Sequence, residues 1–178
     1  RPEDTEIAPD GSLYIAFTSG SPGSDGGPDK QVFVSPIGET AHESGWVMRL
    51  TETDDRPEAL TFNWEIAVTG GEPSQGGAGL SNPDNLLIDR QGNLWIVTDM
   101  STDKHNQAVP QRQDDQGQTL PSSKMVGIFG NNSLWYIPTQ GEAAGIPVLF
   151  STGPIECETT GPCFDDQETT LFLAVQHP

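Results

Sequence analysis

The feature that most constrains this chain is an internal repeat. The segment Pro9–Thr18 (PDGSLYIAFT) matches Asp89–Thr98 (DRQGNLWIVT), and a weaker copy runs from Asp165 to Ala174 (DDQETTLFLA). Leu13, Leu94 and Leu171 stand 81 and 77 residues apart, and Val68-Thr69-Gly70 returns as Ser151-Thr152-Gly153 at an offset of 83. Self-similarity at a long, nearly fixed period means that one supersecondary unit is used several times. Each copy joins a Gly/Asn/Asp turn to a run of β-branched and aromatic residues, the pattern of a turn feeding a strand.

No stretch sustains a helical period over three turns. Short apolar runs bounded by Gly, Pro, Asn and Asp recur instead: Leu13–Phe17, Trp46–Leu50, Leu94–Val97, Leu134–Ile137 and Leu171–Val175. The chain therefore reads as all-β. The middle unit resolves into four strands, at Asn85–Asp89, Leu94–Val97, Ser133–Ile137 and Pro147–Ser151. Four-stranded antiparallel units repeated along a chain are β-propeller blades. Such blades run to roughly 40–45 residues, and the excess here falls in polar insertions between second and third strands, Ser19–Lys30 and Ser101–Lys124.

One partial propeller domain over residues 1–178 is expected, with blade 1 at about 1–79, blade 2 at about 80–153 and the start of blade 3 at about 154–178. Closed propellers carry about 4–8 blades, and an open arc leaves two sheet faces uncovered. The chain is therefore expected to be a C-terminal fragment that completes its ring with a missing N-terminal half, or to self-associate as a dimer. Any targeting signal is expected outside the sequence, which starts at Arg1.

With 8 basic against 26 acidic residues the formal charge is −18. A nucleic-acid partner needs a basic face, so that class is excluded, as is attraction to an anionic membrane surface. No apolar run approaches the roughly 20 residues of a spanning helix. The balance suits divalent cations, which take carboxylate and amide oxygens.

Four oxygen-rich corners are candidates for such a site: Arg1-Pro2-Glu3-Asp4, Ser81-Asn82-Pro83-Asp84-Asn85 at a strand entrance, Asp99 at a strand end, and Glu156-Cys157-Glu158 within a Gly/Pro-bounded turn. Calcium takes about 6–8 oxygen ligands, so carboxylates from several blades would have to converge. Ser-His-Asp catalysis has no Gly-x-Ser-x-Gly elbow to support it, and a Gly-x-x-x-x-Gly-Lys phosphate loop is absent. His42 and His105 sit in or beside polar insertions and are expected to be solvated, with His177 structural. Trp46, Trp64, Trp95 and Trp135 are expected to pack between blades. Cys157 and Cys163 leave three readings open: free buried thiols, a disulfide closing a small loop, or a metal pair.

Several of these segments resemble the PhoX-type bacterial alkaline phosphatases. They are the Arg-Pro-Glu-Asp start, Pro83-Asp84-Asn85 followed by the Asp89–Asp99 turn and strand, Gly153–Pro162, and the closing stretch from Phe164-Asp165 to Gln176-His177-Pro178. The resemblance covers nearly the whole chain but only the C-terminal part of such an enzyme. It implies a six-bladed propeller, periplasmic or extracellular, that hydrolyses phosphate monoesters with calcium and iron. It implies Arg1 as the catalytic contact to phosphate, and Glu3, Asp84, Asn85, Asp99 and Glu158 as metal ligands. Further ligands would lie in the family's N-terminal half, so this chain alone is expected to have little phosphatase activity. Two other readings are a calcium-dependent propeller lactonase or esterase and a non-catalytic module stabilised by calcium.

Overall fold

The computed structural model describes residues 1–20, 42–108, 118–119 and 126–177. Most of the insertion predicted at Ser19–Lys30 and much of that at Ser101–Lys124 lie outside the described residues. The rest is almost entirely β. One sheet takes its strands in sequence order, β1 (Pro2–Ile7), β2 (Leu13–Phe17), β3 (Trp46–Glu52) and β4 (Phe62–Thr69). A second repeats the plan with β5 (Pro83–Ile88), β6 (Leu94–Thr98), β7 (Ser133–Ile137) and β8 (Val148–Thr152). A hairpin of β9 (Glu158–Phe164) and β10 (Leu171–Gln176) follows. All pairings are antiparallel neighbours. These are two propeller-type blades and the inner hairpin of a third.

The repeated turns work alike. Gly11 and Gly92 each donate a backbone N–H to the carbonyl three residues back, Ala8 and Asp89, at 2.9 and 2.8 Å. Both adopt left-handed backbone, φ 84° and 83°, which glycine enters without a Cβ penalty. In the third copy Glu168 makes the same bond to Asp165 at 2.9 Å and takes φ 54°. A residue with a side chain in glycine's position explains why that copy is hard to see in the sequence. Asp89 secures its turn by accepting the N–H of Gln91 and of Asn93 at 3.0 and 2.8 Å. Asp165 secures the third by accepting those of Thr169 and Thr170 at 2.7 and 3.0 Å.

Packing between sheets explains why β6 is an unbroken apolar run. All five of its residues are buried. Leu94 and Ile96 join Trp135 and Ile137 against Ala8, Tyr14, Ala16, Val47 and Val68 of the first sheet. Trp95 and Val97, on the opposite face of the same strand, join Leu134 against Phe164, Leu171 and Leu173 of the third. A strand covered on both faces loses the polar alternation of a half-exposed one. Strand β2 is also apolar throughout, but burial alternates along it, with Tyr14 and Ala16 buried and its other residues half-buried.

Two expectations need correction, and one open reading is narrowed. His42 and His105 are buried rather than solvated, and each ring Nε2 bonds a backbone carbonyl, Gly70 at 2.7 Å and Met100 at 3.0 Å. Trp95 and Trp135 do pack between sheets, but Trp46 stacks on Phe17 of its own sheet and Trp64 on β4 is 42% exposed. Of the three readings open for Cys157 and Cys163, the structure has free thiols, although only one of them is buried. Cys157 is buried just before β9, and Cys163 is exposed near the strand's far end. Extended chain rises about 3.3 Å per residue, so the two stand roughly 16 Å or more apart, well beyond the ~7 Å limit for bridging Cα atoms.

Candidate functional site

The innermost strands of the three sheets, β1, β5 and β9, all begin at one end of the molecule, and each brings an acid there. Glu3 is the second residue of β1, Asp84 the second of β5 and Glu158 the first of β9. Asp99 arrives from the adjacent end of β6, its N–H donated to Asn82 O at 2.9 Å. In β1 and β5 the ladder carries one extra inner-strand residue between Pro2 and Thr5 and between Pro83 and Leu86. A bulge re-aims consecutive side chains that a regular strand would alternate. Glu3-Asp4 and Asp84-Asn85 occupy these bulges, so the acids reach the rim while their neighbours turn to the next sheet.

Among the described residues, Arg1 brings a guanidinium to the group. Its Nε pairs with Glu3 Oε1, and its Nη2 lies 3.6 Å from Asp99 Oδ2, spanning the first and second sheets. Asp84 is buried and its pKa is raised to about 6, first by burial and then by Glu3, Asp99 and Glu158, with Arg1 opposing. Burial also pushes the Glu158 carboxyl up, reinforced by Asp99 and Glu3 and relieved by His177 and Arg1. Among the described residues, four carboxylates thus feel one another with the Arg1 guanidinium opposing, which leaves a surplus of negative charge on hard oxygen donors.

Asn85 points elsewhere. Its Oδ1 accepts the Thr160 hydroxyl and the Gly161 N–H, the latter at 3.0 Å, tying β5 to β9. Asp4, which shares the first candidate corner but has no role of its own there, ties β1 to β5 by accepting the Leu86 N–H at 2.9 Å. His177, exposed beside Glu158, belongs to the charged rim rather than to the packing.

The donor set has the chemistry of a hard-cation site, since carboxylate oxygens are what calcium takes and iron also accepts. Among the described residues, no three His, Cys, Asp or Glu side chains gather closely enough to hold one ion. The chain therefore presents converging donors without closing a cage around them.

The model of the family described as alkaline phosphatase PhoX matches residues 1–178. The chain belongs to the PhoX alkaline phosphatase family. A solved structure, Pseudomonas fluorescens PhoX in complex with vanadate, a transition state analogue, is similar at 29% identity with a TM-score of 0.72. The similarity covers 100% of this chain and 29% of that one, so the chain spans under a third of the length of the PhoX structure. A comparison with curated proteins gave no match.

Proposed function

We propose that this chain is the C-terminal part of a metal-dependent phosphate monoester hydrolase. It would supply Arg1 as the phosphate contact and Glu3, Asp84, Asp99 and Glu158 as ligands for calcium and iron. One observation carries the reading: Arg1 and Glu3 at the start of β1, Asp84 on β5, Glu158 on β9 and Asp99 at the end of β6 meet at one rim in a chain whose family is a phosphatase family. Asn85 is assigned to the tie between sheets, because its side-chain oxygen is already engaged there.

Phosphoryl transfer spreads charge over the equatorial phosphate oxygens, and stabilising that charge is most of the catalytic task. Bound cations would supply Lewis-acid stabilisation of those oxygens. Arg1 would add a planar donor fork suited to phosphate, and its pairing with Glu3 and Asp99 holds that fork in place. The substrate is a phosphate monoester, and an extracytoplasmic location follows the family resemblance. Turnover belongs to the longer protein, whose remaining part would close the cation cage. A second copy of this chain is the alternative way to cover the open arc.

The test is calcium and iron content of the longer protein, alongside calcium titration of this chain and its Glu3→Gln and Glu158→Gln variants. The reading expects both metals and phosphate-ester hydrolysis in the longer protein, and calcium binding by the chain that each variant weakens. Metal content unaffected by either substitution would overturn it.

A further inference from the structure

Asn132 lies in the segment leading into β7, 1% exposed and without charge or reactivity of its own. Its amide spends its whole bonding capacity on two other segments. The Oδ1 accepts the Thr98 hydroxyl at 3.1 Å and the Met100 N–H at 2.6 Å. The Nδ2 donates to Met100 O and to Cys157 O, both at 3.0 Å. Thr98 and Met100 are the residues on either side of Asp99, and Cys157 directly precedes Glu158. On the other side of Glu158, the Thr159 hydroxyl donates to Thr98 O at 3.3 Å. Both acids are thus flanked on each side by residues locked into one buried network.

We propose that Asn132 is the positioning residue that fixes Asp99 on the second sheet against Glu158 on the third. This rests on the reading of those two carboxylates as cation ligands, which they serve only if their separation is held. A carboxylate at the end of a strand is otherwise free to follow its loop, and outer-shell partners of metal ligands typically govern affinity by about 10–100-fold. Asparagine suits the task because one side of its amide only accepts and the other only donates. Asn132 can therefore hold an N–H and a hydroxyl on the Asp99 segment while holding carbonyls on both segments.

That division makes the role separable from simple packing. In Asn132→Asp the acceptor half survives, so the bonds from Thr98 and Met100 N–H remain, while the carbonyls of Met100 and Cys157 face an oxygen. In Asn132→Ala both halves go. Asn93→Ala is the control for lost stability, since Asn93 is buried at the opposite end of β6 and binds Asp89 instead.

Amide hydrogen exchange and calcium titration of the folded chain test this. Asn132→Asp is expected to speed exchange at 157–159 while leaving 99–100 protected, and Asn132→Ala, where it folds, to speed both. Both are expected to weaken calcium binding about tenfold or more, with Asn93→Ala leaving it unchanged. Wild-type calcium affinity in Asn132→Asp would overturn the proposal, as would faster exchange confined to residues 131–133. Should the wild-type chain bind no calcium, the cation reading of this chain fails, and the exchange pattern alone decides for or against Asn132.

Discussion

Asp4 and Asn85 stand 81 residues apart, at matching places in successive inner-strand bulges, and do the same thing. Each reaches sideways to accept a backbone N–H of the next sheet's inner strand, Asp4 that of Leu86 at 2.9 Å and Asn85 that of Gly161 at 3.0 Å. Their immediate predecessors, Glu3 and Asp84, reach the rim instead. The bulge thus divides each acid-rich dipeptide between a structural tie and a candidate ligand.

Breaking either tie leaves an N–H without its partner at a junction between sheets, which costs about 1–3 kcal/mol where the group is buried. Asp4→Ala, which frees the N–H of buried Leu86, is expected to lower unfolding free energy within that range, and Asn85→Ala by less, because the Gly161 N–H is exposed and can turn to water; urea denaturation reads both. The double variant should be close to additive, because the two ties share no partner. A strongly sub-additive result would mean that the junctions do not act separately.

Asp84 makes stability pH-dependent with a sign opposite to that of a salt-bridged acid. Its folded pKa of about 6 lies above the ordinary carboxylate value, so between the two the folded state holds a proton that the unfolded chain has released. This contribution favours folding below the ordinary value and is lost as pH rises toward and through about 6. Metal-free chain should therefore lose stability across that interval, and Asp84→Asn should flatten the loss and be the more stable form at pH 7. Thermal melts over that range, with chelator present, read the slope directly. Saturating calcium should oppose the effect by favouring the ionised carboxyl.

The two thiols should differ in reactivity. Cys163 is exposed and should react with a thiol reagent in the native protein, whereas Cys157, 1% exposed against Gly153 and Thr159, should react only on unfolding. One fast equivalent before reduction, with no new thiol after it, is the expected titration. Burial also pushes the Cys157 thiol pKa up, which suppresses the reactive thiolate further.

What the sequence revealed was whatever repeats in residue type. Strands β2, β6 and β10 were legible because a turn and an apolar run recur together, and β7 because Leu134–Ile137 is dense in strand formers. The rim acids Glu3, Asp84, Asp99 and Glu158 were legible through motifs resembling a family. The bulges were not, because an extra inner-strand residue leaves no mark on composition. The roles of Asp4 and Asn85 depend on those bulges, although the 81-residue offset that aligns the two was available in the sequence. Burial of His42 and His105 was invisible for another reason: polar neighbours in sequence say nothing about which carbonyl a ring folds onto.

Trp95 should carry the junction between the second and third sheets. Its ring meets Phe164 of β9 edge-on at 5.4 Å, meets Phe150 at 5.0 Å and lies 4.8 Å from Tyr136, while its Nε1 donates to Asp89 at 3.3 Å. Trp95→Ala removes a large ring where β6 has no room to collapse, a change that typically costs about 3–5 kcal/mol. Trp95→Phe keeps most of the apolar contact and loses the indole N–H, so its penalty should be well below half as large. Because β9 is held on its inner side by Asn85 and Thr159, the loss should appear first as faster amide exchange in β10, ahead of global unfolding. Uniform loosening of both four-stranded sheets in Trp95→Ala would instead mean that the hairpin is not an independently opening unit.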